Sequence, residues 1–399
     1  MQVTVKEAIE LILKEKRTFP DERIPMDAAL GRVLREPLAA DRDFPPFNRV
    51  SMDGIAIAYE AFEKGQRRFP IEDIQAAGDH RKRLGTSENC MEVMTGAVCP
   101  DGADTVIRYE DISIVDGVAQ INLETIQKRQ NVHPQGKDRK AGEVIVRAGK
   151  RLSPAEIGVA ATIGKDKLRV AGQPKVAVIS TGDELVEVGE KPLPHQIRKS
   201  NVHSLKTALA EQQISSELLH LNDSEAEIRL SLGDALEKYD VLLLSGGVSK
   251  GKFDFIPKVL SELGVEKCLY KVAQRPGKPF WFGKRKGTLV FAFPGNPVSS
   301  FLCFFVYFLP WWRASVGLPA MPPQYAALAE DFVFRPSLTY YLQVQLSSAP
   351  DGRTIALPVK GKGSGDLANL VDANAFLELP PGREQFRAGE VFKVVKYKM

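Results

Sequence analysis

Residues 175–185 read KVAVISTGDEL: an apolar run of strand character, KVAVIS (175–180), that breaks at once into Ser180-Thr181-Gly182-Asp183-Glu184-Leu185. Four later runs have the same character: SELLHL (216–221), DVLLLS (240–245), LYKVAQ (269–274) and TLVFAF (288–293). Helical periodicity fills most of the gaps, over 201–212, 224–238 and 255–263. Strands alternating with helices over about 140 residues predict a doubly wound, mostly parallel sheet.

Working outward, residues 298–312, VSSFLCFFVYFLPWW, are too short to span a bilayer and are interrupted by Pro310, so they predict a buried core helix. Beyond a proline-rich stretch near 319–323, AALAEDFVF, YYLQVQL, TIALPVK, AFLELP and VFKVVKY predict a small β-barrel or sandwich. Upstream, IAIAY, EVMTGAV, TVIRY, ISIV and VAQINL, separated by Gly and Asp turns, predict a β-rich unit over 45–132. Two helices announce their starts: Thr4 with Glu7 before 5–16, and Ser153-Pro154 with Glu156 before 152–163. Residues 133–171 are expected to return onto the N-terminal helix, making 45–132 an insertion. The expected division is therefore 1–44 with 133–171, then 45–132, 172–318 and 319–399: a multi-domain α/β plus β chain.

Composition excludes more than it assigns. Lys+Arg 54 against Asp+Glu 50 gives +4, too balanced for a nucleic-acid binder, and 44% apolar with 26% charged residues is ordinary for a soluble protein. Cys90, Cys99, Cys268 and Cys303 form no CxxC pair, and the N-terminus has no signal-type apolar core, so a cytoplasmic protein with reduced thiols is expected.

Ligands of doubly wound sheets bind beyond the carboxyl ends of the strands. There this chain places Thr181-Gly182-Asp183-Glu184, Ser245-Gly246-Gly247-Val248-Ser249, Arg275-Pro276-Gly277-Lys278-Pro279 and Phe293-Pro294-Gly295-Asn296-Pro297. Glycines let backbone N–H groups close on an anion, and helix starts near Asp254 and Pro297 add donors. Lys271 and Arg275, four apart on one expected strand, would share a face. Carboxylates at Asp183, Glu184, Asp223 and Asp254 beside an anion site call for a hard cation, with Mg²⁺ the natural choice. Helix capping accounts equally well for Asp223 and Asp254. Asp53, Thr95 and Asp138 sit in motifs that composition alone reads as turns.

Eight segments in order resemble the MoeA family, which includes the E-domain of gephyrin-type proteins. They are PPFNRVSMDGIAI (45–57), MTGAVCPDGADTVIRYED (94–111), GKDRKAGEVIVRAGKRLSPAEIGVAATIG (136–164), PKVAVISTGDELVEVGE (174–190), IRKSN (197–201), LLLSGGVSKGKFDF (242–255), VAQRPGKPFWFG (272–283) and FAFPGNPVSSF (291–301). The resemblance implies an elongated homodimer of four-domain subunits, with a molybdopterin-binding sheet domain, a β-rich inserted domain, an N-terminal linker domain and a C-terminal barrel. It implies insertion of molybdenum from molybdate into adenylated molybdopterin, with AMP released and Mg²⁺ assisting. A molybdopterin adenylyltransferase and apo-molybdoenzymes would be partners.

By family motif the resemblance gives catalytic roles to Asp53, Thr95, Asp138, Glu184, Asp223 and Asp254. The metal would fall to Asp183, Glu184, Asp223 and Asp254. Substrate would be held by Thr181, Gly182, Gly246, Gly247, Ser249, Lys271, Arg275, Lys278, Pro294, Gly295, Asn296, Pro297 and Ser364. Two departures stand out: Lys252 replaces the acid of the family's SVGD loop, and 337–343 lacks the arginines of its G-R-x-x-F-x-R stretch. Two other readings of the same fold are a pterin-binding scaffold without activity and a molybdopterin adenylyltransferase. The latter's glycine loop reads GGTG where Ser245-Gly246-Gly247-Val248-Ser249 stands here.

Overall fold

The structure, a computed structural model, describes residues 2–247, 255–361 and 363–398. Ser249 and Asp254, both expected in the site, lie outside the described residues.

Helix α1 (Val5–Lys14) opens with the anticipated capping box: the Thr4 hydroxyl accepts the Glu7 N–H at 3.2 Å, and the Glu7 carboxylate accepts the Thr4 N–H at 2.7 Å. Its buried stripe, Val5, Ala8 and Ile12, packs into the main α/β core. Residues 133–171 as a whole do not pack along this helix; only Ala171 joins its hydrophobic core. They return onto 22–39 instead, where Glu22–Pro25 pairs antiparallel with Lys167–Val170 and Leu38–Ala39 with Val144–Val146. Helix α2 (Pro154–Thr162), capped as expected by Ser153 and Glu156, adds Ala160 to a small core with Leu34, Leu38, Leu152 and Leu168. The reason is apolar area: the amphipathic stripe of α1 finds a far larger apolar surface on the sheet.

Between these halves lies a six-stranded sheet. Its strands are β1 (Gly54–Ile57), β2 (Arg68–Gln75), β3 (Cys90–Val93), β4 (Thr105–Arg108), β5 (Ile112–Val115) and β6 (Val118–Ile121), in the order β4-β1-β3-β2-β6-β5. The chain enters and leaves it side by side, Arg49–Val50 pairing antiparallel with Val132–His133. Sequence reading did not anticipate β2. Pro70 interrupts it, and Glu72 and Asp73 break the alternation of a strand that is mostly exposed.

The main sheet uses β7 (Val176–Thr181), β8 (Ser216–Leu221), β9 (Val241–Ser245), β10 (Glu266–Tyr270), β11 (Trp281–Arg285) and β12 (Thr288–Phe293), ordered β8-β7-β9-β12-β11-β10. The first four in that order are parallel. β11 runs antiparallel to both β12 and β10, so β10 points the same way as the rest. Helices α3 (Ser200–Ala210), α4 (Glu225–Lys238) and α5 (Ile256–Glu262) fall where periodicity placed them. α3 and α1 cover one face, α4 and α5 the other. Strand β11 is a second correction, and it alters the loop before it. β10 ends at Tyr270, and Lys271 turns the chain with φ +67°. Lys271 and Arg275 thus do not share a strand.

Helix α6 (Pro297–Cys303), a π turn (Phe304–Phe308) and α7 (Leu309–Ser315) form one buried run against the sheet. Phe304, Phe308, Trp311 and Trp312 are fully covered, as a core helix requires. Truncating one such aromatic to Ala costs about 3–5 kcal/mol. No helix among the described residues is long and apolar enough to cross a membrane. All four cysteines are free.

The last strands, β13 (Gln324–Leu328), β14 (Thr339–Ser348), β15 (Thr354–Pro358), β16 (Ala375–Leu379) and β17 (Val391–Lys396), run in the order β14-β15-β13-β17-β16. β16 pairs back on β14, closing a five-stranded barrel. Val344, Ala356, Ala375 and Leu377 fill it. A short strand, Gln274–Arg275, from the main α/β unit pairs in parallel with the start of β14.

Candidate functional site

The parallel strands end on a cleft of ≈ 380 Å³, within the size of small-molecule sites. Three strand-end loops meet there. Thr181, the last residue of β7, and Glu184 from the loop after it meet Gly246 and Gly247 from the loop after β9, and Pro294, Gly295, Asn296 and Pro297 from that after β12. Gly246 and Gly247 hold φ +103° and +69°. A Cβ on Gly246 would lie 2.8 Å from Thr181 Oγ1, and one on Gly247 would lie 2.6 Å from Ile256. Only glycine lets this backbone pack so closely on Thr181. The predicted Ser364 arrives from the C-terminal region. Its hydroxyl accepts the Asn296 amide at 2.7 Å, and its carbonyl accepts the Val298 N–H at 3.1 Å.

The remaining lining includes Lys199 and Asn201, which sequence reading did not single out, and Ser180 and Ser245, which open two of the loops it marked. Ser180 and Ser245 face each other in register on β7 and β9. Asn201 donates from Nδ2 to Ser245 Oγ at 2.9 Å and to the Gly295 carbonyl at 2.7 Å, tying two strand ends to the start of α3. Lys199 is only 10% exposed at its side chain, with Nζ 2.6 Å from Glu187. A signal for this segment was present in IRKSN: two cations immediately before a helix oppose its macrodipole, which favours acids there. Behind Ser180, His220 Nδ1 sits 2.9 Å from the hydroxyl. Burial first, and then the Lys199 charge, hold His220 below the ordinary imidazole value, so it is neutral at pH 7.

The acidic residues divide. Glu184 lines the cleft, and its carbonyl accepts the Ile197 N–H at 2.8 Å. Asp183 instead uses Oδ1 to accept the Asp223 N–H at 2.9 Å, which clamps the loop after β7 to the loop after β8. Among the described residues no three His, Cys, Asp or Glu side chains gather as a metal site. The expected cations sit at the same edge, outside the lining. Lys271 donates its N–H to the Phe280 carbonyl at 2.9 Å, and the Lys278 carbonyl accepts from Val272 at 3.0 Å. The Arg275 guanidinium stands 6.0 Å from the Phe334 ring centroid. From that loop Pro279 reaches the cleft.

At the inserted sheet's stem, Asp53 with Thr95 and Asp138 with His133 make two side-chain pairs. Asp53 Oδ1 accepts both the Thr95 N–H at 2.6 Å and its hydroxyl at 2.7 Å. These two bonds, the backbone one foremost, hold the Asp53 carboxyl below its usual range. Asp138 lies 2.8 Å from His133 Nε2, on the strand paired with Arg49–Val50. The hydrogen bonds of all three residues stay within this stem and do not reach the cleft of the same chain among the described residues.

Three family models match in succession: MoeA N-terminal region (domain I and II) over 3–164, probable molybdopterin binding domain over 177–314, and MoeA C-terminal region (domain IV) over 325–397. A molybdopterin molybdenumtransferase of Synechocystis is 41% identical over 394 residues, covering 98% of each chain. One from Staphylococcus epidermidis is 33% identical over 402 residues, covering 98% of this chain and 95% of its own. Among solved structures, the molybdopterin biosynthesis MoeA protein of Pyrococcus horikoshii matches with TM-score 0.84 at 29% identity over the whole of both chains.

Proposed function

We propose, for a chain that belongs to the MoeA family of molybdopterin molybdenumtransferases, that its cleft takes adenylated molybdopterin and molybdate and yields molybdenum-loaded pterin with release of AMP. One observation carries this reading: three glycine- or proline-bearing strand-end loops, far apart in sequence, line one cleft together with Lys199 and Asn201. Backbone N–H groups beside positive-φ glycines favour phosphate oxygens, and the largely covered Lys199 strengthens that attraction. In this reading Glu184, at the cleft wall, orients a water toward the phosphoanhydride and takes its proton. The neighbouring Arg275 and Lys278 supply cations for a second anion, molybdate.

Asp53, Thr95 and Asp138 enter this scheme from a second subunit. In a homodimer the stem pairs of one protomer would complete the cleft of its partner. Mg²⁺ is a further requirement of the reading, with Asp183, Glu184, Asp223 and Asp254 as its carboxylates. The described side chains do not themselves assemble such a set. The reading also places the protein in the cytoplasm, between a molybdopterin adenylyltransferase that supplies substrate and apo-molybdoenzymes that receive product.

The test is AMP release by the purified protein given adenylated molybdopterin and molybdate, with and without Mg²⁺. Release that depends on molybdate is the expected result. Tight pterin binding with no release would overturn the enzymatic reading in favour of a scaffold.

A further inference from the structure

Beneath the loop that brings Pro279 to the cleft lies a polar side chain with no role in the scheme above. Gln274 is 0% exposed, and a buried amide is costly unless its donors and acceptor are matched. Here they are. Nε2 donates to the Pro276 carbonyl at 3.0 Å and lies 3.8 Å from Cys303 Sγ, while Oε1 accepts the Tyr307 hydroxyl. Tyr307 belongs to the π turn, closed by an N–H of Leu309 bonding back to the Phe304 carbonyl. Such wide turns recur at functional sites. The Tyr307 ring stacks on Phe280 at 4.6 Å. The pair thus grips the loop at residue 276 and again at residue 280.

The loop is fitted to this grip. Gly277 has φ +90°, and a Cβ there would stand 2.6 Å from Gln274 Nε2 and 2.9 Å from Cys303 Sγ. From the outer side the barrel holds the same segment, Thr339 donating its N–H to the Ala273 carbonyl at 3.0 Å. Phe334, which stacks on Tyr340 at 4.1 Å, sits beside the Arg275 guanidinium.

We propose that Gln274 is a positioning residue: its amide, fixed by Tyr307, sets the shape in which residues 275–279 present Pro279 and the cations of Arg275 and Lys278 to the anionic substrate. The substrate half of this statement rests on the function proposed above; the loop half does not. A plain core role would make Gln274 matter for stability alone. The two roles separate in the full-length Gln274→Leu variant and in Tyr307→Phe, which keeps the ring stack should Gln274→Leu fail to fold.

Backbone amide exchange is read first. Both variants should speed exchange at Lys271 and Val272, whose N–H groups close the loop, by about tenfold, with α1 unchanged. Wild-type exchange at Lys271 and Val272, or an increase no larger than in α1, would overturn the proposal, whatever the enzyme's activity. Steady-state AMP release is read second. The KM for the pterin substrate should rise about tenfold with kcat within about twofold. The double variant should be no worse than Gln274→Leu, because the two groups act as one unit. A loosened loop with wild-type KM would overturn the substrate half. A wild-type protein that released no AMP would count against the proposed function and leave the exchange result to decide the loop.

Discussion

The cleft and the stem pairs are made in opposite ways. The cleft is mostly backbone: loops at the ends of parallel strands, glycines where side chains would collide, and a few polar groups tied to one another by Asn201. The stem pairs are mostly side chain, two acids in turns each held by one neighbour, Thr95 or His133, beside the paired strands Arg49–Val50 and Val132–His133. A backbone-built site shapes and binds. A pair of positioned carboxylates can orient a proton or a charge but cannot hold a large ligand alone. A division of labour of this kind requires the two regions to meet, and among the described residues no hydrogen bond joins them within one chain.

The sharpest way to break this comparison is to disable each side. Glu184→Gln should lower AMP release by about a hundredfold or more while leaving pterin affinity within a few-fold; near-wild-type turnover would remove Glu184 from the chemistry. Asp53→Ala should be similarly inactive. Mixing the two inactive proteins then tests whether the regions meet across subunits. After subunit exchange, half the dimers are mixed and each carries one intact site, so about a quarter of wild-type activity should return. No recovery, with exchange verified by mass, would confine each site to its own chain.

A smaller effect is expected from Gly246→Ala, which puts a methyl group against Thr181 in a left-handed backbone. Stability should fall by about 1–3 kcal/mol in denaturant titration, and pterin affinity should fall with it. The mildest test concerns Asp53. Its depressed carboxyl adds stability that is fully present above the ordinary value of about 4 and is lost as pH falls through the lower folded value. Thr95→Val removes the hydroxyl donor and keeps the stronger backbone one, so an NMR titration should show the Asp53 value move only part of the way back up.

The sheet was legible because its strands are buried on both faces and therefore read as unbroken apolar runs, and because its loops carry glycine and proline where L side chains do not fit. What escaped had physical causes. β2 is a largely exposed strand with a proline inside it, so neither hydrophobicity nor alternation marks it. β11, WFGKR, begins directly after a proline loop and turns into β12 through Lys286-Gly287, so it reads as loop continuation. Missing it misplaced Lys271 and Arg275, whose spacing suited a strand that ends one residue earlier. Lys199 and Asn201 stand within IRKSN without a legible role, because their value comes from where α3 starts relative to two strand ends. Asp53, Thr95 and Asp138 look like turn residues in the sequence, and they are turn residues, with the added property of being paired.

The antiparallel contact between Arg49–Val50 and Val132–His133 has an evolutionary and a practical consequence. Because the polypeptide crosses into the six-stranded sheet and back out at adjacent points, some eighty residues hang from a neck two strands wide. Such a neck can be cut and rejoined with little disturbance to what lies behind it. Joining Asn48 to Pro134 through a short glycine bridge should leave a folded remainder, and grafting a different appendage onto that neck would re-equip the protein without redesigning its base.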